Sequence, residues 1–371
     1  MSQSGDAFSR SHTLSWTYNP RGEIETETHS DSTRNNAYQF DGIGNREKAA
    51  FGTVTLPTTD NYIANSLNEY TTVPGSFATA QDDDGNLLNG PVPGDRAGQN
   101  ASTTTANTPS NATNLVWDGE NRLVSLDLGS NTITYEYDYL SRCIAKVDGV
   151  RQAETEQACY DGWNLIALSY GTTNTPVCTF TWGLDLSGSM QGAGGVGGLL
   201  VTNHGSWEDV YPLYDGNGNA CQYLNNEDNP NYTGQFVARW EFDSFGRTVK
   251  GSGDPLTEWM LHRFSTKQTD YDTGLLYYGY RWYNPYTGRW PSRDPIGERG
   301  GINLYMMVGN DAMNSIDVSG LKELNLENIE TDCEGRIVIR PYSKSHSDGA
   351  IFGFSALGSG YGASRRRTEG N

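Results

Sequence analysis

The chain has 371 residues, and its formal net charge is −19 at pH 7. That charge argues against nonspecific binding to nucleic acid or to anionic membranes, because both need clustered Lys and Arg. With 44 Gly, 22 Tyr and 9 Trp, the composition favours a mainly β protein in which short strands are joined by turns. All of the acidic excess lies before residue 322, so we expect residues 322–371 to form a compositionally distinct, variable tail.

Neither a targeting segment nor a cofactor site is indicated by the sequence. The N-terminus lacks a basic region followed by an apolar core, and no apolar run is long enough to span a bilayer. We therefore expect no Sec signal peptide and no membrane span. The five Cys lack C-x-x-C spacing and the five His are scattered, so we expect no disulfide framework, metal site or cofactor.

One short unit recurs through residues 1–270. It consists of an aromatic residue and Asp, a Gly- or Asn-rich turn, and then Arg or a small polar residue that begins a strand. We expect the Asp side chain to accept hydrogen bonds from backbone N–H groups two or three residues on, while Gly supplies the positive φ. The unit predicts an array of β-hairpins, each of which needs its neighbours for stability. The repeats begin at Phe40, Trp117, Tyr137, Tyr160, Tyr214 and Phe242.

Two segments interrupt this pattern. Residues 81–114 are rich in Gly, Pro, Ser, Thr and Asn, which predicts a long, low-complexity, exposed excursion with order only at Asn86–Leu88. Residues 191–198 read QGAGGVGG and satisfy the G-x-G-x-x-G pattern. A strand-like stretch follows them, where a dinucleotide site would need a helix, so the pattern favours a Gly-rich turn that permits close backbone packing.

The densest stretch of aromatic and turn residues is 271–321. Leu275 to Tyr283 nearly alternates in strand fashion between two turn signals, which predicts an aromatic-rich hairpin. Two Asp-x-x-Gly units follow, beginning at Asp294 and Asp317, so the sequence predicts two carboxylates on two tight turns. Either Asp could simply cap its turn through its side chain.

This stretch resembles the C-terminal segment of the RHS repeat-associated core domain, and the upstream units resemble YD repeats. Val318 stands where the family pattern has Pro, which predicts a looser turn at Asp317. The resemblance implies that the hairpins form part of a spiralling β-shell. The matching positions are Arg281, Tyr283, Pro285, Gly288, Arg289, Arg293, Asp294, Pro295, Gly297, Asn303, Leu304, Tyr305, Asp317, Gly320 and Leu321.

The resemblance further implies that the shell scaffolds and encapsulates a toxin-like C-terminal tail. It also implies that residues 271–321 form an aspartyl autoprotease, which would cut its own chain between Leu321 and Lys322 and so release that tail. Two adjacent carboxylates cannot both ionise comfortably, so one keeps a proton while the other can activate water. Asp294 and Asp317 would be that catalytic pair, and Arg293 would orient it or stabilise developing charge. The resemblance therefore implies no enzymatic activity wider than this one intramolecular reaction.

The partners implied by the family are the chain's own tail as toxin-like cargo, other shell segments and components of a secretion system. The same resemblance implies a bacterial protein that is secreted or cell-associated by a non-Sec route. Two alternatives stay open. The chain could be a YD-repeat surface module whose exposed Tyr and Trp contact glycans, or a truncated remnant without activity.

Overall fold

The computed structural model describes residues 13–59, 61–75, 77–94, 109–150, 155–171, 175–204, 207–225, 236–253, 260–321, 323–325, 329–331 and 337–339. Lys322 and most of the expected tail lie outside these ranges. The strands are β1 Leu14–Tyr18, β2 Ile24–His29, β3 Asn36–Phe40, β4 Arg46–Phe51, β5 Ile63–Ala64, β6 Tyr70–Val73, β7 Phe77–Ala78, β8 Ala80–Gln81, β9 Leu87–Val92, β10 Ser110–Trp117, β11 Leu123–Leu128, β12 Asn131–Tyr137, β13 Cys143–Asp148, β14 Glu156–Asp161, β15 Asn164–Tyr170, β16 Pro176–Trp182, β17 Leu199–His204, β18 Trp207–Tyr214, β19 Ala220–Asn225, β20 Phe236–Phe242, β21 Thr248–Gly253, β22 Gln268–Thr269, β23 Leu276–Tyr277, β24 Trp282–Tyr283, β25 Ser315–Asp317, β26 Glu323–Asn325, β27 Ile329–Thr331 and β28 Ile337–Ile339. Short 3-10 helices lie at Ser32–Arg34, Phe264–Thr266, Gly297–Arg299 and Val308–Asn310.

The largest element is a 14-stranded sheet that runs from β8 to β21, with each strand next to its sequence neighbour. Every pair in it is antiparallel, as in the pairing of Tyr135 with Lys146 between β12 and β13. Only antiparallel neighbours can be joined by such short turns. The expected mainly β fold built from an array of hairpins is therefore confirmed.

The repeated turn has a common hydrogen-bond pattern, seen in the hairpin between β10 and β11. Asp118 Oδ1 accepts from the N–H groups of Glu120 and Arg122, at 2.9 and 3.0 Å. The bonds thus reach two and four residues on, where the sequence predicted two or three. Arg122 returns its guanidinium to Asp118 Oδ2 at 2.7 Å, so the turn is closed by both backbone and side chain.

Successive repeats are also linked by that arginine. The Arg122 guanidinium lies 5.0 Å from the ring centroid of Tyr137, the aromatic residue that begins the next unit. Arg142 likewise lies over Tyr160 and donates to the carbonyl of Gly162 at 2.8 Å. Asp161 departs from the common pattern, because it pairs directly with Asn164 across a two-residue turn. The units that carry Arg122 and Arg142 therefore contact the next unit in the same way.

The expected exposed excursion over residues 81–114 is wrong at both ends. Strand β9 pairs with β10, with Val92 opposite Ser110, and the Val92 side chain is fully buried. The composition hid this, because Gly and Pro disfavour a strand interior, and here the pairing and burial of β9 outweigh Gly90 and Pro91. Residues 95–108 lie outside the described part of the chain.

Residues 260–321 form a terminal segment with little regular strand and deep burial. Its side chains complete the core at two places along the 14-stranded sheet: Leu275, Tyr277 and Trp282 pack on β9 to β12, while Met260 packs on β18 to β20. The predicted hairpin is present but short, because Gly279 at φ +111° divides the strand expected over residues 275–283 into β23 and β24. The segment therefore lies against the array as a densely packed core piece.

A second group of strands lies before the array. Strands β1 to β4 form one sheet and β5 to β7 another. Phe245, from the turn before β21, packs with Ile24 and Tyr38 of the first sheet.

The domain boundaries expected at residues 270 and 321 stay predictions. Among the described residues, no helix is long and apolar enough to cross a membrane.

Candidate active site

The first carboxylate of the expected pair lies on a tight turn. Asp294 Oδ1 accepts from the Ile296 N–H at 2.9 Å, and the Asp294 carbonyl accepts from the Gly297 N–H at 2.9 Å. Gly297 has φ +63°, a left-handed conformation that Gly adopts without steric cost. These bonds occupy Oδ1, so Oδ2 is the oxygen directed at other groups.

The second carboxylate organises the loop that follows it. Asp317 Oδ1 accepts from three successive N–H groups, those of Ser319, Gly320 and Leu321, at 3.0, 2.6 and 3.2 Å. Asp317 is 3% exposed, and Gly320 has φ +81°. The expectation of two Asp residues on two Gly-containing turns therefore agrees with the backbone geometry. The side chain of Asp317 does cap its turn, as the simpler interpretation held.

A buried arginine lies between the two carboxylates. Arg281 Nη2 is 2.8 Å from Asp294 Oδ2 and 4.0 Å from Asp317 Oδ2, and the Arg281 side chain is 2% exposed. The same guanidinium donates from Nε to the Gly320 carbonyl and from Nη1 to the Leu304 carbonyl at 3.2 Å. Arg281 thus brings Asp294 and Asp317 into one charged cluster.

Arg293, which the sequence assigned to orient the pair, is placed elsewhere. Its guanidinium donates from Nη2 to Glu69 at 2.7 Å and from Nε to the Tyr305 hydroxyl at 3.1 Å. Adjacent residues in an extended chain point in different directions, so neighbouring Asp294 in sequence does not bring Arg293 to its carboxylate. The arginine that contacts Asp294 is Arg281, and the role expected of Arg293 is corrected accordingly.

The loop from Val318 to Gly320 is held at every carbonyl. Lys267 Nζ donates to Val318 O at 2.7 Å, the Tyr280 N–H donates to Ser319 O at 3.0 Å, and Arg281 Nε donates to Gly320 O. With the three N–H groups already bound to Asp317, the backbone has little freedom up to Leu321. Pre-ordering of this kind is what a reacting peptide bond needs.

The carbonyl of Leu321 comes next in the chain, and both it and the first carboxylate face Gly300. A Cβ built on Gly300 would come within 2.5 Å of Asp294 Oδ2 and 3.1 Å of Leu321 O, so both oxygens border the same small space. Leu321 is half-buried, and Lys322 lies outside the described residues. The carbonyl group of the peptide bond that we expect to be cut therefore lies at the edge of the charged cluster.

Burial sets the electrostatics of this cluster. It raises the pKa of Asp317 above its usual value, against the opposing effects of Arg281 and of the three N–H donors. Burial also raises the pKa of Asp294, opposed by Arg281 and by the Ile296 N–H, and it lowers the pKa of Arg281 to about 10. Two carboxylates share one close guanidinium, so a proton on one of them relieves the excess negative charge.

Sequence reasoning missed the roles of Arg281, Lys267 and Gly300. Arg281 could have been found, because it lies on the family pattern and follows a buried aromatic run. Gly300 and Lys267 carry no local signal, since their importance comes from contacts with residues far along the chain. No cluster of three or more His, Cys, Asp or Glu with metal-binding geometry occurs in the part of the chain that the structure describes.

Comparison with known proteins gives partial matches to toxins, and no family model matches. Toxin subunit YenC2 of Yersinia entomophaga is 38% identical over 94 residues, which cover 25% of this chain and 10% of that protein. Toxin protein Tse5 of Pseudomonas aeruginosa is 29% identical over 238 residues, 56% of this chain and 17% of that protein. The tRNA nuclease WapA of Bacillus subtilis is 25% identical over 310 residues, 82% of this chain and 12% of that protein.

Among solved structures, the crystal structure of TcdB2-TccC3-Cdc42 is similar, with a TM-score of 0.48 and 19% identity, covering 84% of this chain and 17% of that chain. The chain spans about a tenth of the length of toxin subunits YenC2 and YenC1. The sequence relatives support a relationship to Rhs-type toxin proteins.

Proposed function

We propose that this chain, as a relative of Rhs-type toxin proteins, forms part of a toxin-associated β-shell and cleaves itself after Leu321. The observation that carries the proposal is the placement of the Leu321 carbonyl. It lies with Asp294 Oδ2 against Gly300, at the end of a loop whose preceding backbone is held by hydrogen bonds. A turn that served only to reverse the chain would need neither a second buried carboxylate near this carbonyl nor hydrogen bonds to every preceding carbonyl of the loop.

The chemistry is a hydrolysis within one chain. Water attacks the carbonyl carbon of Leu321, and the ionised carboxylate of the Asp294 and Asp317 pair takes a proton from that water. The protonated carboxyl of the pair gives its proton to the amide nitrogen of Lys322 as the C–N bond breaks. The products are a carboxylate on Leu321 and an amine on Lys322. Arg281 stabilises the negative charge that develops on the carboxylates and near the carbonyl oxygen.

In the intact chain, the segment after the expected cut is paired with the segment before it. Strand β26 pairs with β25 across the cleavage loop, with Glu323 opposite Asp317 and Leu324 opposite Ile316. Leu324 packs on a small cluster formed by Ile316 and by Ala193 and Val196 of the Gly-rich turn. We therefore propose that the cut ends covalent attachment while this pairing still retains the tail as cargo. Export by a non-Sec route to a secreted or cell-associated location belongs to the same proposal.

The test of self-cleavage is the intact mass of the folded protein during incubation, with N-terminal sequencing of any fragment. The proposal predicts a fragment that begins at Lys322 and a first-order rate that does not change when the protein is diluted. A cut elsewhere, or a rate that rises with protein concentration, would contradict cleavage within one chain. Size-exclusion chromatography of the cut protein then tests retention: the fragment co-elutes with the body, and Leu324→Asp releases it.

A further inference from the structure

A buried lysine also contacts the loop that Arg281 holds, at a different carbonyl. Lys267 Nζ donates to the carbonyls of Gly194 and Val318, at 2.8 and 2.7 Å, and Lys267 is 7% exposed. Gly194 belongs to the Gly-rich turn of residues 191–198, and Val318 directly follows Asp317. One ammonium group therefore links the turn to the loop that ends at Leu321.

The Gly-rich turn is shaped for this contact. Gly194 has φ +64°, and a Cβ built on it would lie 2.1 Å from Val318 O and 2.9 Å from Lys267 Nζ. Any side chain here would displace the loop, since real Cβ atoms do not approach a carbonyl oxygen so closely. The turn itself is fixed by Asp185, whose Oδ2 accepts from the N–H groups of Ala193 and Gly195 at 2.7 and 3.1 Å.

The charge of Lys267 bears on the carboxylate pair. Burial lowers the pKa of Lys267 to about 8, while Asp317 and Asp185 act in the opposite direction. Two further titratable groups lie near it: Tyr278, whose ring centroid is 5.2 Å from Nζ, and His262, whose pKa is lowered to about 3 by burial and by Lys267. A neutral donor could make the same two bonds at a lower desolvation cost. The ammonium adds a positive charge beside Asp317 that complements Arg281.

We propose that Lys267 and Gly194 form a clamp on the Val318 carbonyl that positions the loop for cleavage. This inference rests on the proposed self-cleavage. The inference assigns a role to the Gly-rich turn. The two contacts to the Val318 carbonyl would restrict the backbone at a position where the family pattern has the more rigid proline. Lys267 is a positioning residue, because its contacts are to the loop and not to the reacting carbonyl.

The first measurement of the clamp does not depend on cleavage. Hydrogen exchange is followed in an Asp294→Asn background, with and without Lys267→Met, at the amides of residues 319–321. The clamp predicts that exchange of these amides becomes tenfold faster or more without the ammonium, while the Ile296 amide is unchanged. Lys250→Met, on the exposed face of β21, is the matched control and leaves all four amides unchanged. Unaltered exchange at residues 319–321 would overturn the clamp, whether or not the wild-type chain cleaves.

The second measurement is the cleavage rate from pH 6 to about pH 9 in chains with an intact Asp294, because the Arg281 guanidinium has its pKa at about 10. The wild type is expected to slow as pH rises through about 8, because the ammonium then loses its proton. Lys267→Met is expected to cleave at least tenfold more slowly, without that alkaline decline, and Lys267→Arg to recover part of the rate. A wild-type chain that never cleaves would remove the self-cleavage proposal while the exchange result still decides the clamp. Equal rates in wild type and Lys267→Met would overturn the positioning role.

Discussion

The hairpin array and the terminal segment are built in contrasting ways. In the array, a unit such as Asp118 to Arg122 satisfies its own turn and contacts the neighbouring turns on either side of it. In residues 260–321, many side-chain hydrogen bonds reach across the chain, as when the Tyr305 hydroxyl donates to the carbonyl of Gly85. The contrast shows that the array supplies a frame from local rules, whereas the terminal segment converts that frame into one specific arrangement of charged groups.

The difference between the two regions is tested most strongly by replacing the arginine at the centre of the terminal segment. Arg281→Met leaves Asp294 and Asp317 buried without their shared partner, so we expect unfolding to become easier by ~3–5 kcal/mol and cleavage to be lost. Denaturant unfolding and intact mass measure the two effects. Arg293→Met is the matched control: its side chain is 31% exposed and bonds Glu69, so we expect a loss of about 1 kcal/mol and retained cleavage. Equal effects in both variants would contradict the role assigned to Arg281.

The contribution to stability of the contact between the two regions can be tested through a buried ion pair. Lys146 of β13 lies 2.9 Å from Asp270 and 2.6 Å from Asp272, which belong to the terminal segment. Lys146→Met strands two buried carboxylates, and we expect it to cost ~3–5 kcal/mol in denaturant unfolding. Arg122→Met removes a more exposed pair within the array and should cost ~1 kcal/mol or less. A larger loss from the array variant would show that this contact does not limit stability.

The contrast between local and long-range contacts explains which parts of the fold could be predicted from the sequence. The hairpin array was predictable because Asp, Gly and Arg act within five residues of each other, so their spacing alone fixes the turn. The residues around Leu321 were predicted from a family pattern, but their partners were not. Arg293 is next to Asp294 in sequence and yet bonds Glu69, 224 residues away, because folding decides which distant groups a side chain reaches. Strand β9 was missed for a similar reason, since its pairing with β10 outweighs its polar composition.

The contact between the first sheet and the array should depend on pH. Burial, together with the nearby charge of Asp243, raises the pKa of Glu27 to about 7, although Asn36 and Ser244 donate to its carboxylate. Since the folded state holds this proton more tightly than the unfolded state, stability falls as pH rises from about 4.5 to about 7 and is constant above.

The matched variants isolate that contribution. Thermal unfolding at pH 5 and pH 8 should show a loss of ~1–3 kcal/mol in the wild type that Glu27→Gln lacks. Glu25→Gln, on the exposed face of the same strand, should keep the wild-type dependence. If Glu27→Gln keeps the full dependence, another group is responsible.

A smaller change probes the cleavage geometry directly. Gly300→Ala places a methyl group between Asp294 Oδ2 and the Leu321 carbonyl, at a residue that is exposed and has an ordinary φ of −85°. We expect cleavage to slow by ~10–100-fold, since displacements of this size disrupt the alignment of reacting groups. Gly119→Ala, where the added Cβ meets nothing within 4 Å, should cleave at the wild-type rate. The two rates come from intact mass over time, and equal rates would place the reaction away from Gly300.

The central claim is that the Asp294 and Asp317 pair cuts the chain after Leu321. Its most direct test is the intact mass of freshly purified wild-type protein beside Asp294→Asn and Asp118→Asn, the last of which removes a turn-capping carboxylate within the array. We predict that the wild type and Asp118→Asn split after Leu321, whereas Asp294→Asn stays whole with an unchanged near-UV circular dichroism spectrum. If the folded wild type stays whole, or if Asp294→Asn splits at the same bond, the pair is a structural turn device and the chain is a scaffold without self-cleavage.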